Sequence, residues 1–193
     1  MLINKEKILE EIEFGEIIIE PFTETNLGVN SYDITLSNEV WFSNDQKKRL
    51  YISDRNIDED LWKRTLVKDF VQFYPKETVR CVSGEIVGTL SRYVILSSIR
   101  SSLMRLGFVG VFGTGDVGYK GRWVFTLTNM TNSIINIRVG ARVGQVLFAP
   151  VKPGKEIYSG KYIEGGSLFI PDVMKEGEGV DIDEREFNLT FAY

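Results

Sequence analysis

The sequence predicts a mainly β protein, a sandwich or barrel preceded by one short helix. Three observations lead there. Residues 4–14 place apolar side chains at helical spacing. From residue 16 onward the chain breaks into short runs rich in β-branched and aromatic residues, separated by Asn, Gly, Ser and Pro. Across 193 residues, 43% apolar content with 12% aromatics is enough to build the core of one domain of ordinary size.

In the N-terminal helix Ile8, Leu9 and Ile12 share a face, with Asn4 as N-cap and Gly15 as the stop. Strands are expected over residues 16–19, 32–36, 39–42, 79–82, 85–90, 93–96, 109–112, 123–128, 134–139, 145–149 and 187–192. Between 43 and 76 the chain is charged and reads as an insertion or elaborated edge, with a short helix around residues 58–66. A second short helix is expected within 100–107. Residues 154–186, rich in Gly, Lys, Asp and Glu, read as a surface excursion or lid within a single domain spanning 1–193.

Composition narrows the chemistry. A net charge of −4 and a pI near 5.1 provide no overall basic field for DNA, RNA or an anionic membrane, so phosphate binding has to come from local Arg and Lys. The chain contains no histidine, the commonest general base, which leaves carboxylates, hydroxyls, Lys, Arg or a bound metal ion for chemistry. A lone cysteine, Cys81, excludes an internal disulfide and, without His, a zinc site of the usual ligand set. No apolar run approaches bilayer length, and a cytoplasmic protein without a membrane anchor is expected.

Two segments concentrate polar groups between apolar strands. In Arg100-Ser101-Ser102-Leu103-Met104-Arg105-Leu106-Gly107, two hydroxyls and two guanidiniums gather at the start of a short helix, as a phosphate cradle requires; the same residues also read as a capped helix with solvated arginines. Asp116 lies among Gly113, Gly115 and Gly118, which suits either close approach to a ligand or a tight hairpin. Tyr119 can stack on a ligand ring or anchor that hairpin in the core. Gln145 is an amide inside an apolar strand and needs partners, ligand or backbone. Lys161 and Tyr162 offer a cation and an aromatic on a loop, and residues 165–169 a glycine-rich lid.

Taken in order, these pieces resemble the dCTP deaminase/dUTPase superfamily. Ile18-Ile19-Glu20-Pro21-Phe22 and Asn30-Ser31-Tyr32-Asp33-Ile34-Thr35-Leu36 look like the N-terminal signature of its deaminase branch. Arg100-Ser101-Ser102-Leu103 with Arg105-Leu106-Gly107 is similar to the triphosphate-binding segment, with Ile99 where a glycine is usual. Asp116-x-Gly118-Tyr119-x-Gly121 resembles the motif whose aspartate holds the attacking water and whose aromatic packs on deoxyribose, and Arg142-Val143-Gly144-Gln145 the motif whose Gln contacts phosphate. The resemblance implies a distorted β-barrel or jelly-roll-like sandwich of the dUTPase-like type. It also implies a pyrimidine deoxynucleoside triphosphate as ligand, Mg²⁺ bound mainly through that triphosphate with no protein metal ligand of its own, and a homotrimer with shared active sites.

The sequence departs from the resemblance where deamination needs it most. The family's deaminases carry a glutamate as proton shuttle where this chain has Thr126, and no acidic residue lies between Asp116 and Asn132. A threonine hydroxyl has too high a pKa to act as general base. Hydrolysis at phosphorus asks instead for a positioned water, an aspartate and cations. Asp116 as the catalytic residue, with Arg100, Ser101, Ser102, Arg105, Tyr119, Gln145, Lys161 and Tyr162 binding substrate, supplies these. The expectation is therefore hydrolysis of dUTP or a related triphosphate to the monophosphate and pyrophosphate. The alternatives are dCTP deamination and a homologue that binds nucleotide without turnover.

Overall fold

The computed structural model describes residues 2–43, 62–152, 154 and 158–159. It begins with α1 (Lys5–Glu13), where Asn4 caps the helix by accepting a hydrogen bond from the Lys7 N–H at 3.1 Å, and Gly15 takes φ +71° as the chain turns away. Ile8 is buried, and Leu9 and Ile12 pack partly against the core. Glu11 is buried beside them, a position the apolar pattern did not mark.

The strands are β1 (Ile17–Glu20), β2 (Tyr32–Ser43), β3 (Trp62–Leu66), β4 (Phe70–Phe73), β5 (Thr78–Thr89) and β6 (Tyr93–Ile99). The helix α2 (Ser101–Arg105) follows, then β7 (Phe108–Val111), β8 (Thr114–Gly115), β9 (Lys120–Asn129), β10 (Ile135–Arg138) and β11 (Arg142–Pro150). Nine strands form one antiparallel sheet in the order β7-β9-β5-β2-β11-β6-β8, with β1 on β5 and β3 on β2; β10 and β4 pair separately. The mainly β class and the short N-terminal helix agree with the sequence. No described helix is long and apolar enough to cross a membrane.

Three local expectations are corrected. Residues 32–36 and 39–42 are one strand, as are 79–82 and 85–90, because Asn38 and Gly84, which read as breakers, lie where the β2–β5 and β5–β9 pairings shift register. Trp62–Leu66 is a strand rather than the end of a helix: its aromatic and β-branched residues pair with residues 39–43 of β2. Strand β4 falls inside the segment read as an insertion, with Val71 and Phe73 fully buried. The expected strand at 187–192 lies outside the described residues.

Strand β9 alternates strictly, with Trp123, Phe125 and Leu127 facing inward. Tyr32, Ile34, Phe73, Ile95 and Phe148 meet them in one core; fully burying a side chain of this size contributes about 1.5–3 kcal/mol. The sheet curls as a half-barrel: Trp123 Nε1 on β9 donates to Ser97 Oγ on β6 at 3.0 Å, and Ser97 donates to the Gly113 carbonyl ahead of β8. Phe112 stacks on Phe125, ring centres 4.6 Å apart, and closes that end of the core. The curl leaves Thr126 and Thr128 on the outer face, beside Val111 and Val109 of β7.

Candidate functional site

Arg100 ends β6 and opens α2. Its N–H bonds to the Val143 carbonyl at 3.0 Å, and its side-chain Nε lies 3.1 Å from Asp33 Oδ2. The five-residue helix is seated by Leu103, buried in the core, which leaves Ser101, Ser102 and Arg105 exposed. Gly107 ends the segment at φ +91°, and a side chain there would meet Thr131 at 2.6 Å, so the turn requires glycine.

Gln145 joins this group through the sheet. On β11 it pairs with Asp33 of β2 on one side and Ser98 of β6 on the other, and its Nε2 lies 3.5 Å from Ser31 Oγ. Arg142, the first residue of β11 and three positions before Gln145, brings Nη1 to 3.3 Å from Asp33 Oδ2. The structure thus gathers Arg100, Ser101, Ser102, Arg105 and Gln145 at one end of β6.

Asp116 and Tyr119 form a different corner. The Asp116 carbonyl accepts the Tyr119 N–H at 3.0 Å, with Gly118 at φ +86° in the third position of the turn, and the Asp116 side chain is exposed. Tyr119 donates its hydroxyl to the Arg122 carbonyl at 3.1 Å and sets its ring edge against Trp123 at 5.3 Å, so it anchors the hairpin. Burial, and then the neighbouring Tyr158, push its phenol up to about 12, which keeps it a neutral donor near pH 7.

The two corners are far apart within one chain. Gly115 pairs with Ile95 and Thr114 with Leu96, so Asp116 lies alongside the start of β6 while Arg100 lies past its end. Six residues of strand at roughly 3.3 Å each separate the two corners by about 20 Å. Lys161 and Tyr162, with the glycine-rich lid at 165–169, lie outside the described residues.

Around Thr126 the neighbours across the ladder are Val111 and Arg80. On the same face Glu39 is buried, accepting hydrogen bonds from Arg64 Nε at 2.6 Å and Arg122 Nη1 at 2.7 Å. Each oxygen of Glu39 accepts one guanidinium N–H, so this carboxylate is engaged within the protein and turned toward arginines.

Sequence reasoning gave no role to Asp33, Arg142 or Glu39. The available signal was the same one that marked Gln145, a polar residue inside an apolar strand: Asp33 sits between Tyr32 and Ile34.

Comparison with known proteins bears on the family and the fold. The model of a family described as dCTP deaminase-like matches residues 2–151. A protein of Aquifex aeolicus named "dCTP deaminase, dUMP-forming" is 29% identical over 168 residues, covering 84% of this chain and 89% of that one. A protein of the same name from Clostridium botulinum (strain Alaska E43 / Type E3) is 32% identical over 167 residues, covering 84% and 90%. Among solved structures, the 2'-deoxycytidine 5'-triphosphate deaminase of Agrobacterium tumefaciens superposes with a TM-score of 0.61 at 14% identity, over 76% of this chain and 47% of that longer one, a likeness of fold.

Proposed function

The chain belongs to the dCTP deaminase-like family, and from that premise we propose that it hydrolyses a pyrimidine deoxynucleoside triphosphate, dUTP or a close relative, to the monophosphate and pyrophosphate. One observation carries the choice of reaction: the outer face of β9 offers Thr126 in place of a base, and the buried carboxylate on that face, Glu39, is bonded to two arginines. Attack on a ring carbon needs a proton shuttle there; attack on phosphorus does not.

In this mechanism Asp116 orients the water. The water oxygen forms the new bond to the α-phosphorus, and the bridging oxygen leaves with pyrophosphate. Arg100, Ser101, Ser102, Arg105 and Gln145 bind the phosphate chain, joined by Lys161 and Tyr162. Tyr119 lies under the sugar and leaves no room for a 2′-hydroxyl. A Mg²⁺ would be held mainly through the triphosphate, and the exposed Asp116 carboxylate is a hard oxygen donor that would suit its hydration shell. When bound, that ion neutralises charge on the phosphate oxygens. Because Asp116 and Arg100 lie about 20 Å apart along β6 at roughly 3.3 Å per residue, a complete site takes them from neighbouring subunits of a homotrimer.

The relatives' name favours a second reading. Forming dUMP from dCTP requires both loss of the amino group and cleavage of the triphosphate, and this chain keeps the groups for the second step while lacking the shuttle for the first. Incubation with Mg²⁺ and dCTP, dUTP or dTTP, followed by chromatography with ammonia and pyrophosphate assays, separates the readings. Monophosphate and pyrophosphate without ammonia support hydrolysis; ammonia from dCTP supports deamination. Unchanged triphosphates reject both and leave a nucleotide-binding homologue.

A further inference from the structure

Two guanidiniums converge on a single carboxylate oxygen. Arg100 Nε lies 3.1 Å from Asp33 Oδ2, and Arg142 Nη1 lies 3.3 Å from the same atom. Arg142 donates one N–H to Asp33, and Arg100 meets the same oxygen as an ion pair, so neither guanidinium fork is closed on the carboxylate. The remaining edges of both are not used on Asp33. Two cations on one anion leave a net positive charge at this corner, which favours the approach of a further anion.

Exposure points the same way. The Arg142 and Arg100 side chains are 44% and 26% exposed, while Asp33 is 10% exposed beneath them. Solvent, or a ligand, therefore meets the guanidiniums and not the carboxylate. Arg142 Nη1 also lies 3.5 Å from the Thr25 carbonyl, which fixes its side chain over the strand end. Gln145, paired with Asp33 across the ladder, adds an amide to the same rim.

We infer that Arg142 is a substrate-binding residue, forming with Arg100 a guanidinium pair that receives the phosphate chain, both aimed by Asp33. This rests on the triphosphate reading above and extends it to a residue for which that reading has no role.

The test measures binding of inorganic triphosphate to the full-length protein by calorimetry, alongside turnover of dUTP, for the wild type, Arg142→Gln and Arg142→Lys. Arg142→Gln is expected to weaken inorganic triphosphate binding at least ten-fold and to raise KM for dUTP by a similar factor. Arg142→Lys, which keeps the charge and loses the fork, should fall between, and its folding guards against an unfolded Gln variant. Wild-type affinity in Arg142→Gln, or no binding of inorganic triphosphate by the wild type, overturns the assignment. Arg142-dependent binding without dUTP turnover leaves the assignment standing and removes the hydrolase reading; turnover indifferent to Arg142 does the reverse.

Discussion

Arg92 Nη2 lies 2.6 Å from Glu11 Oε2, an ion pair that fastens the N-terminal helix to the turn between β5 and β6. Glu11, only 1% exposed, also accepts the Tyr93 hydroxyl at 3.0 Å and pairs with Lys7 at 2.8 Å. A few residues on, Glu16 accepts the N–H groups of Ser91 and Arg92, each at 2.6 Å, on the other side of the same turn.

These carboxylates make stability depend on acid. Burial alone would raise the Glu11 pKa, but hydrogen bonds from Lys7 and Tyr93 and the charge of Arg92 more than reverse it; for Glu16 burial is likewise outweighed by the Ser91 and Arg92 N–H groups. Both are lowered on folding, so their contribution is complete above the unfolded glutamate pKa near 4.3 and is lost as pH falls through the lower folded values. Thermal melts should show Tm dropping as pH falls below about 4.5, the unfolded glutamate range. Glu11→Gln should lower Tm at pH 7 by roughly 6–20 °C and flatten that acid limb. An unchanged acid limb would mean other groups set it.

Fold class was legible in the sequence because alternation and turn residues are local. Residues 123–128 read as a strand, and β9 alternates as that pattern demands. What was not legible depended on distant partners. Gly84 reads as a breaker, yet β5 runs through it because β2 and β9 flank that strand on both sides. Trp62–Leu66 alternates poorly, and only pairing with β2 makes it a strand. At the site, the sequence named Arg100 and Gln145 without showing that Asp33 ties Arg100 to Arg142, since those residues are brought together by the β2–β11 register.

Asn129 was equally silent. Fully buried, it donates Nδ2 to the carbonyls of Phe73 at 3.1 Å and Ser133 at 2.7 Å, and its Oδ1 accepts from the Thr131 N–H at 3.0 Å and the Thr131 hydroxyl at 2.8 Å. Removing this hub leaves the carbonyl of the buried Phe73 without this donor and unties the half-buried Thr131 from the strand end. Asn129→Ala should cost about 2–4 kcal/mol in denaturant unfolding. A loss below a few tenths would mean the loop repacks around the gap.

The proposed chemistry separates two residues of opposite standing. Asp116→Asn should reduce pyrophosphate release from dUTP by at least about 100-fold, the scale of a lost water-orienting carboxylate. Thr126→Ala should keep most of it, because the hydroxyl has no part at phosphorus. Steady-state assays decide the matter, and ordinary turnover in Asp116→Asn would end the assignment of Asp116.

Sharing of sites between subunits has its own test. The face beside Thr126 is rich in exposed apolar side chains, among them Val111, 67% exposed, with Val109, Leu106 and Met104 close by in sequence. That is the character of a surface covered on assembly. Asp116→Asn and Arg105→Gln should each be inactive alone, one lacking the water corner and the other the phosphate corner. If a complete site takes Asp116 from one subunit and Arg105 from another, unfolding and refolding the two variants together creates some sites with both native residues. At equal mixing, random assortment in a closed symmetric oligomer restores about a quarter of wild-type turnover. If each chain builds its site alone, no mixed site is whole and turnover stays at the level of the separate variants.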